Sequence, residues 1–177
     1  MEQSHHNKIS SHNPHHMKFK PNYAFIPLIV ILAALVGSWF SSQGMAWYDS
    51  ELVKPALTPP KLAFPIAWNT IFICTTISAL IFWNKSTAKK KLLTRHWWIV
   101  SLFVANAILN VLWSFLFFQL HLVTSAYVEM LFLEASVIAL ILLIWKLSKT
   151  ASLLLLPYAL WGAFATYLTY LIITLGV

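Results

Sequence analysis

W-Y-D-S-E-L-V-K-P-A-L-T-P-P, residues 47–60, is the polar break on which the reading of the chain turns. One apolar run precedes it, from about Tyr23 to Phe40, and another follows from Leu62 to Trp83. Each is near the roughly twenty residues a helix needs to cross the hydrocarbon of a bilayer. The break holds two of the five acidic residues and three of the eight prolines, more chemistry than a plain connector needs.

Working outward, the composition is 59% hydrophobic and only 10% charged. A soluble domain carries roughly a quarter charged residues, so the chain reads as an integral membrane protein. Alternating strand patterns of barrel length are missing, which leaves helices as the spanning element. The expected fold is therefore an all-α membrane protein, a five-transmembrane-helix bundle. Its spans are expected at about 23–40, 62–83, 97–118, 122–145 and 151–175, with a loop at 41–61 between the first two. Residues 1–20 carry five histidines and no hydrophobic period, and read as a disordered tail rather than a metal site.

Five spans collect Lys8, Lys18, Lys20, Lys85, Lys89, Lys90, Lys91, Arg95, Lys146 and Lys149 on one side, against Lys54 and Lys61 on the other. The positive-inside rule then puts the N-terminus in the cytoplasm and the C-terminus outside, in a bacterial cell membrane. This placement also accounts for the net charge of +7 without a nucleic-acid partner. Cys74 is the single cysteine, so neither an internal disulfide nor a cysteine-rich metal centre is expected.

Of nine tryptophans, Trp39, Trp83, Trp97, Trp98 and Trp145 sit at span ends, where indoles favour the headgroup level. Trp68, Trp113 and Trp161 lie inside spans, Trp161 about ten residues from either end of its helix. A buried indole must hide its N–H from lipid and should face the bundle. Asn106, Asn110 and Trp113 follow an i, i+4, i+7 spacing and share one helical face. Two readings of that face stay open, interhelical glue and the wall of a binding site. Pro157, Trp161, Ala165 and Leu168 form a second stripe, with a bend expected near Tyr158. Flat aromatics with a few amides under the 41–61 loop would make a small-molecule pocket.

Three motifs then carry a resemblance. They are W-Y…K-P…T-P-P…W (Trp47, Tyr48, Lys54, Pro55, Pro59, Pro60, Trp68), N-x-x-W-S-x-x-F-F (Asn110–Phe118) and L-P-Y-x-L-W-x-x-F-A-x-Y-L (Leu156–Leu168). In this order they resemble the translocator protein family, also called the peripheral benzodiazepine receptor or tryptophan-rich sensory protein family. The resemblance implies a five-helix bundle, often a homodimer, with one ligand pocket under a lid formed by the first long loop. It implies porphyrins (protoporphyrin or haem) and other planar hydrophobic molecules as ligands, with no required cofactor. Carried over residue by residue, the ligand-binding positions are Tyr48, Trp68, Asn106, Asn110, Trp113, Trp161 and Ala165, and the lid positions are Trp47, Lys54, Pro55, Pro59 and Pro60. Light-dependent protoporphyrin degradation is an alternative activity, and there Trp68 and Trp161 would be the catalytic pair. The spacing from Trp47-Tyr48 to Lys54-Pro55 is one residue longer than the family's usual W-Y-x-x-L-x-K-P, and Leu57 replaces an aromatic. No basic residue follows Lys149, so the C-terminal cholesterol motif is absent.

The chemistry of the spans agrees with binding more than with hydrolysis. Both histidines beyond the tail, His96 and His121, fall at span ends, leaving no interior axial ligand for an iron porphyrin and no metal site. No Ser–His–carboxylate set shares a face, and no glycine-rich phosphate loop occurs. Glu129 and Glu134 are the only acids within spans and point about 140° apart on one helix, so they form no dyad. They leave a proton-coupled exporter as a further alternative. Small-residue pairs at Ala33/Gly37 and Ser101/Ala105 offer surfaces for a homodimer.

Overall fold

A computed structural model of the chain describes residues 20–87 and 93–176. The histidine-rich stretch up to residue 19 and the lysines at 89–91 lie outside the described residues. The helices are α1 (Asn22–Ser50), α2 (Ala63–Thr87), α3 (Leu93–Ser114), α4 (Val123–Trp145), α5 (Lys149–Leu153) and α6 (Leu156–Thr174). A π-helical turn, Phe115–Gln119, continues α3, while α5 and α6 share the fifth span. All five spans are long and apolar enough to cross a membrane.

Two boundaries differ instructively from expectation. The first helix does not stop at Phe40, and the loop expected from residue 41 begins only at Glu51. The serines there bond back onto the helix instead. Ser41 and Ser50 donate their hydroxyls to the carbonyls of Gly37 and Ala46, one turn back. Gly44, a nominal breaker, is kept because a Cβ there would overlap the Phe118 carbonyl of the π turn. Trp47 and Tyr48 therefore stand on a rigid helix end, and only residues 51–62 are free to act as a lid. In the fifth span the expected bend near Tyr158 falls earlier, at Leu154–Leu155. Pro157 has no N–H for the carbonyl four residues back and its ring clashes there, so the helix restarts with Pro157 in its first turn.

α1 packs on α2 and α3, α2 on α6, α6 on α4, and α4 on α3, closing a ring in the span order first, second, fifth, fourth, third. Side-chain hydroxyls knit α5 into this ring. Ser78 donates to the Ala151 carbonyl at 2.7 Å, and Ser152 donates to that of Ile141 at 2.6 Å. The core is layered along the bundle axis. Phe82, Ile99, Leu140, Ile144, Ala151 and Leu155 fill the end bearing Lys85, Arg95 and Lys149. Ile71, Leu133, Val137 and Tyr158 hold the middle, and Leu52, Phe117, Val123, Ala126 and Ile172 close the lid end. Exposed Leu28, Leu35, Ile66, Ile108, Leu142 and Leu160 belong to the outer surface that faces lipid.

Ala33 and Gly37, candidates for a dimer face, are used within the chain. An added Cβ at Gly37 would lie 3.4 Å from Ser114 Oγ of α3, and Ala33 lines an internal cavity. Ser101 and Ala105 remain exposed.

Candidate aromatic and amide site

The asparagines of α3 act as interhelical glue and also face a cavity. Asn106 donates from Nδ2 to Ser136 Oγ of α4 at 2.8 Å, and Asn110 donates from Nδ2 to the Tyr158 hydroxyl of α6 at 3.0 Å. Each amide thus bridges two helices and also borders an interior cavity. Such bonds contribute about 0.6 kcal/mol on average inside membrane bundles. Their greater effect is to fix Tyr158, which brings the second and fifth spans to the same point.

Around that point the aromatics assemble. The Trp68 ring lies 6.1 Å from Tyr158, edge to face, and 6.2 Å from Trp113. Trp113 stacks on Phe117 at 5.4 Å, and Phe117 meets Trp47 at 5.7 Å and Tyr48 at 6.4 Å. A continuous aromatic wall therefore runs from mid-bundle to the lid. Trp161 stands apart from it. Its ring partners are Phe64 at 5.7 Å and Phe164 at 5.6 Å, and it borders an outward-facing groove with Ala67, Thr70, Ile71, Pro157 and Leu160. Ala165 is buried one turn further along α6.

Two of these indoles carry unmet chemistry. The Nε1 atoms of Trp113 and Trp161 are buried without a hydrogen-bond partner, and so are both carboxylate oxygens of Glu129. A buried donor or acceptor left unmatched costs about 1–3 kcal/mol. Glu134 lies against Gly162, where a Cβ would overlap its carboxylate.

Few polar contacts hold the loop at 51–62. Lys61 pairs with Asp49 at 2.7 Å, with both side chains substantially exposed, and Lys54 donates to the Asp49 carbonyl at 3.0 Å. Lys54 also sits 5.0 Å above the Tyr48 ring. Beneath, Leu52 and Pro55 are buried, whereas Pro59 is half-buried and Pro60 exposed. His121 connects the π turn to α4 with a left-handed φ of 56°, a conformation usually left to glycine, and stacks on Trp47 at 4.1 Å.

Sequence reasoning did not single out Tyr158, Phe117, Phe64 or Thr75. Tyr158 had a signal: it is i−3 to Trp161 and i−7 to Ala165, on the same stripe. The others are ordinary apolar-helix residues whose role comes only from their neighbours. Among the described residues no cluster of three potential metal ligands occurs.

The comparisons with known proteins agree with this architecture. Residues 25–175 match the TspO/MBR family. Tryptophan-rich protein TspO of Chlorobaculum tepidum is 32% identical over 152 residues, covering 84% of this chain and 91% of that one. Protein CrtK of Rhodobacter capsulatus is 33% identical over 139 residues, with 78% and 82% covered. The human translocator protein is 28% identical over 142 residues, with 78% and 80% covered. With five apolar spans and a family match that runs from the first span to the last, the chain is an integral membrane protein of the TspO/MBR family.

Proposed function

We propose that the protein is a membrane receptor or carrier for planar hydrophobic molecules, porphyrins first, and that it serves tetrapyrrole regulation or transport. The observation that carries this reading is the wall Trp68–Trp113–Phe117, backed by Tyr158 and Asn110, beside buried indole N–H groups with no partner. A macrocycle offers π faces for the rings, and its two carboxylates suit the lid lysines Lys54 and Lys61. The rings touch one another, so such a ligand enters only as they part and residues 51–62 swing away. An exposed ion pair, worth about 0–1 kcal/mol, and the buried Leu52 and Pro55 resist this. The relatives' names, translocator protein and tryptophan-rich sensory protein, accord with a carrier or sensor.

Two further features belong to the proposal. The lopsided lysines support a cytoplasmic N-terminus in a bacterial cell membrane. A homodimer would use the exposed Ser101/Ala105 face of α3.

The test is titration of protoporphyrin into detergent-solubilised protein, read by tryptophan quenching in the dark and absorbance under light. Saturable quenching that weakens in Trp68→Phe and Trp113→Phe is expected; no saturation refutes the binding reading. The contact between Trp68 and Tyr158 favours one alternative, light-driven oxidation of protoporphyrin by dioxygen with the indoles as electron or radical partners. That alternative predicts bleaching under light that is lost in Trp68→Phe and Trp161→Phe while binding persists, and equal bleaching in the variants sinks it.

A further inference from the structure

α1 and α3 close on each other at the lid end, at Gly37 against Ser114 and at Gly44 against Phe118. Toward the basic end they part, and together with α2 they bound a cavity of about 100 Å³. Its walls are apolar, among them Ala33, Phe72, Ala79 and Phe103, and no charged side chain lines it. Its deep end is polar, formed by Thr75, Asn106, Asn110 and Tyr158. Ile29 and Val104 line the cavity and are each 44% exposed, so its mouth opens between α1 and α3 onto the lipid-facing surface. The space is of the same order as the engineered apolar cavity of about 150 Å³ that binds benzene.

Thr75 distinguishes this cavity from a packing defect. Thr70, Thr76 and Thr87 of the same helix each donate to the carbonyl four residues back, at 2.9, 2.7 and 2.8 Å. That is how a hydroxyl is satisfied without water. Thr75 alone of the four does not, and its Oγ1 is buried without a partner. The apolar slot is therefore lined by a threonine whose hydroxyl is buried and unspent, together with two buried amides.

We infer that this cavity is a second binding site, for a neutral single-chain lipid with a hydroxyl head, bound head-inward on Thr75 with its chain leaving between α1 and α3 into the bilayer. A charged head is excluded because nothing in the slot compensates a charge. A bare alkane leaves Thr75 unmatched, and a two-chain phospholipid needs its head at the membrane surface. The two sites share Asn106, Asn110 and Tyr158, but Trp68, Trp113 and Trp161 take no part in this one.

The test uses the full chain in nanodiscs, photolabelled with hexadecanol bearing a mid-chain diazirine and competed by unlabelled hexadecanol or hexadecane. Labelled peptides should map to residues 25–33 and 100–107, and hexadecanol should compete at least tenfold better than hexadecane. Thr75→Val, which keeps the shape and removes the hydroxyl, should erase that preference while labelling persists. Ala33→Phe should abolish labelling by filling the slot. Equal competition by the two compounds in the parent protein, an unchanged preference in Thr75→Val, or labelling elsewhere would overturn the inference.

Discussion

Three glycines lie in the spans, and replacing each with alanine is the same chemical change in three different surroundings. In a helix interior the change gains about 0.8–1 kcal/mol from backbone propensity. What the new Cβ meets decides the sign. At Gly37 it meets Ser114 Oγ at 3.4 Å, ordinary contact, so Gly37→Ala should be neutral or stabilising. At Gly162 it overlaps the carboxylate of Glu134, the far end of a flexible side chain, which can swing aside at small cost. At Gly44 it overlaps the backbone carbonyl of Phe118, held inside the π turn, and nothing there can yield without moving a helix. Overpacking of that kind costs about 1–3 kcal/mol. Net of propensity, Gly44→Ala should lose up to about 2 kcal/mol, and a chain of this size moves about 2–4 °C per kcal/mol. The loss should appear as a midpoint several degrees lower in thermal unfolding followed by circular dichroism in detergent. Because Gly44 is one turn before Trp47 and Tyr48, the same change should lift Trp47 from His121 and Phe117 and shift its emission to the red. In Glu134→Ala the cost at Gly162 should vanish, a coupling a double-mutant cycle reads directly. An order other than Gly44 worst, Gly162 intermediate and Gly37 harmless would refute the close approach of α1 to the π turn.

Further outcomes follow from the polar contacts. Tyr158→Phe removes the acceptor of Asn110 and should cost about 0.6–1.7 kcal/mol in thermal unfolding, with a weaker porphyrin quench; an unchanged midpoint would mean the bond does not hold α3 to α6. Asp49→Asn should leave the midpoint within about 1 kcal/mol of the parent yet speed lysine-specific proteolysis after Lys61, the gap narrowing as salt rises. Glu129→Gln replaces a buried, unpartnered carboxylate by a neutral isostere and should raise the midpoint. If proteoliposome flux of a labelled porphyrin then persists with the same response to a pH gradient, Glu129 has no part in a proton-coupled cycle.

How much was legible in the sequence depends on whether a feature is local. Hydrophobic length alone announces five spans, because the bilayer sets that length whatever the helices touch. The shared face of Asn106, Asn110 and Trp113 is equally local, since 3.6-residue periodicity puts them there. What those amides bond to is not local: Ser136 and Tyr158 are thirty and forty-eight residues away. The end of α1 fails as a local reading for the same reason. Ser41, Ser42 and Gly44 look like a terminus, and only the Phe118 carbonyl packed against Gly44 shows why the helix continues. The break at Leu154–Leu155 follows from proline chemistry, though the sequence reading put it a few residues late. The amino-acid sequence by itself determined that the chain crosses a membrane as five helices and which residues each helix turns to one side. Tertiary structure decided which faces meet, that Trp161 stands apart from Trp68 and Trp113, and that a polar-ended slot opens between α1 and α3. Periodicity carries a residue's direction around its own helix, whereas the distance between two helices depends on every side chain packed between them.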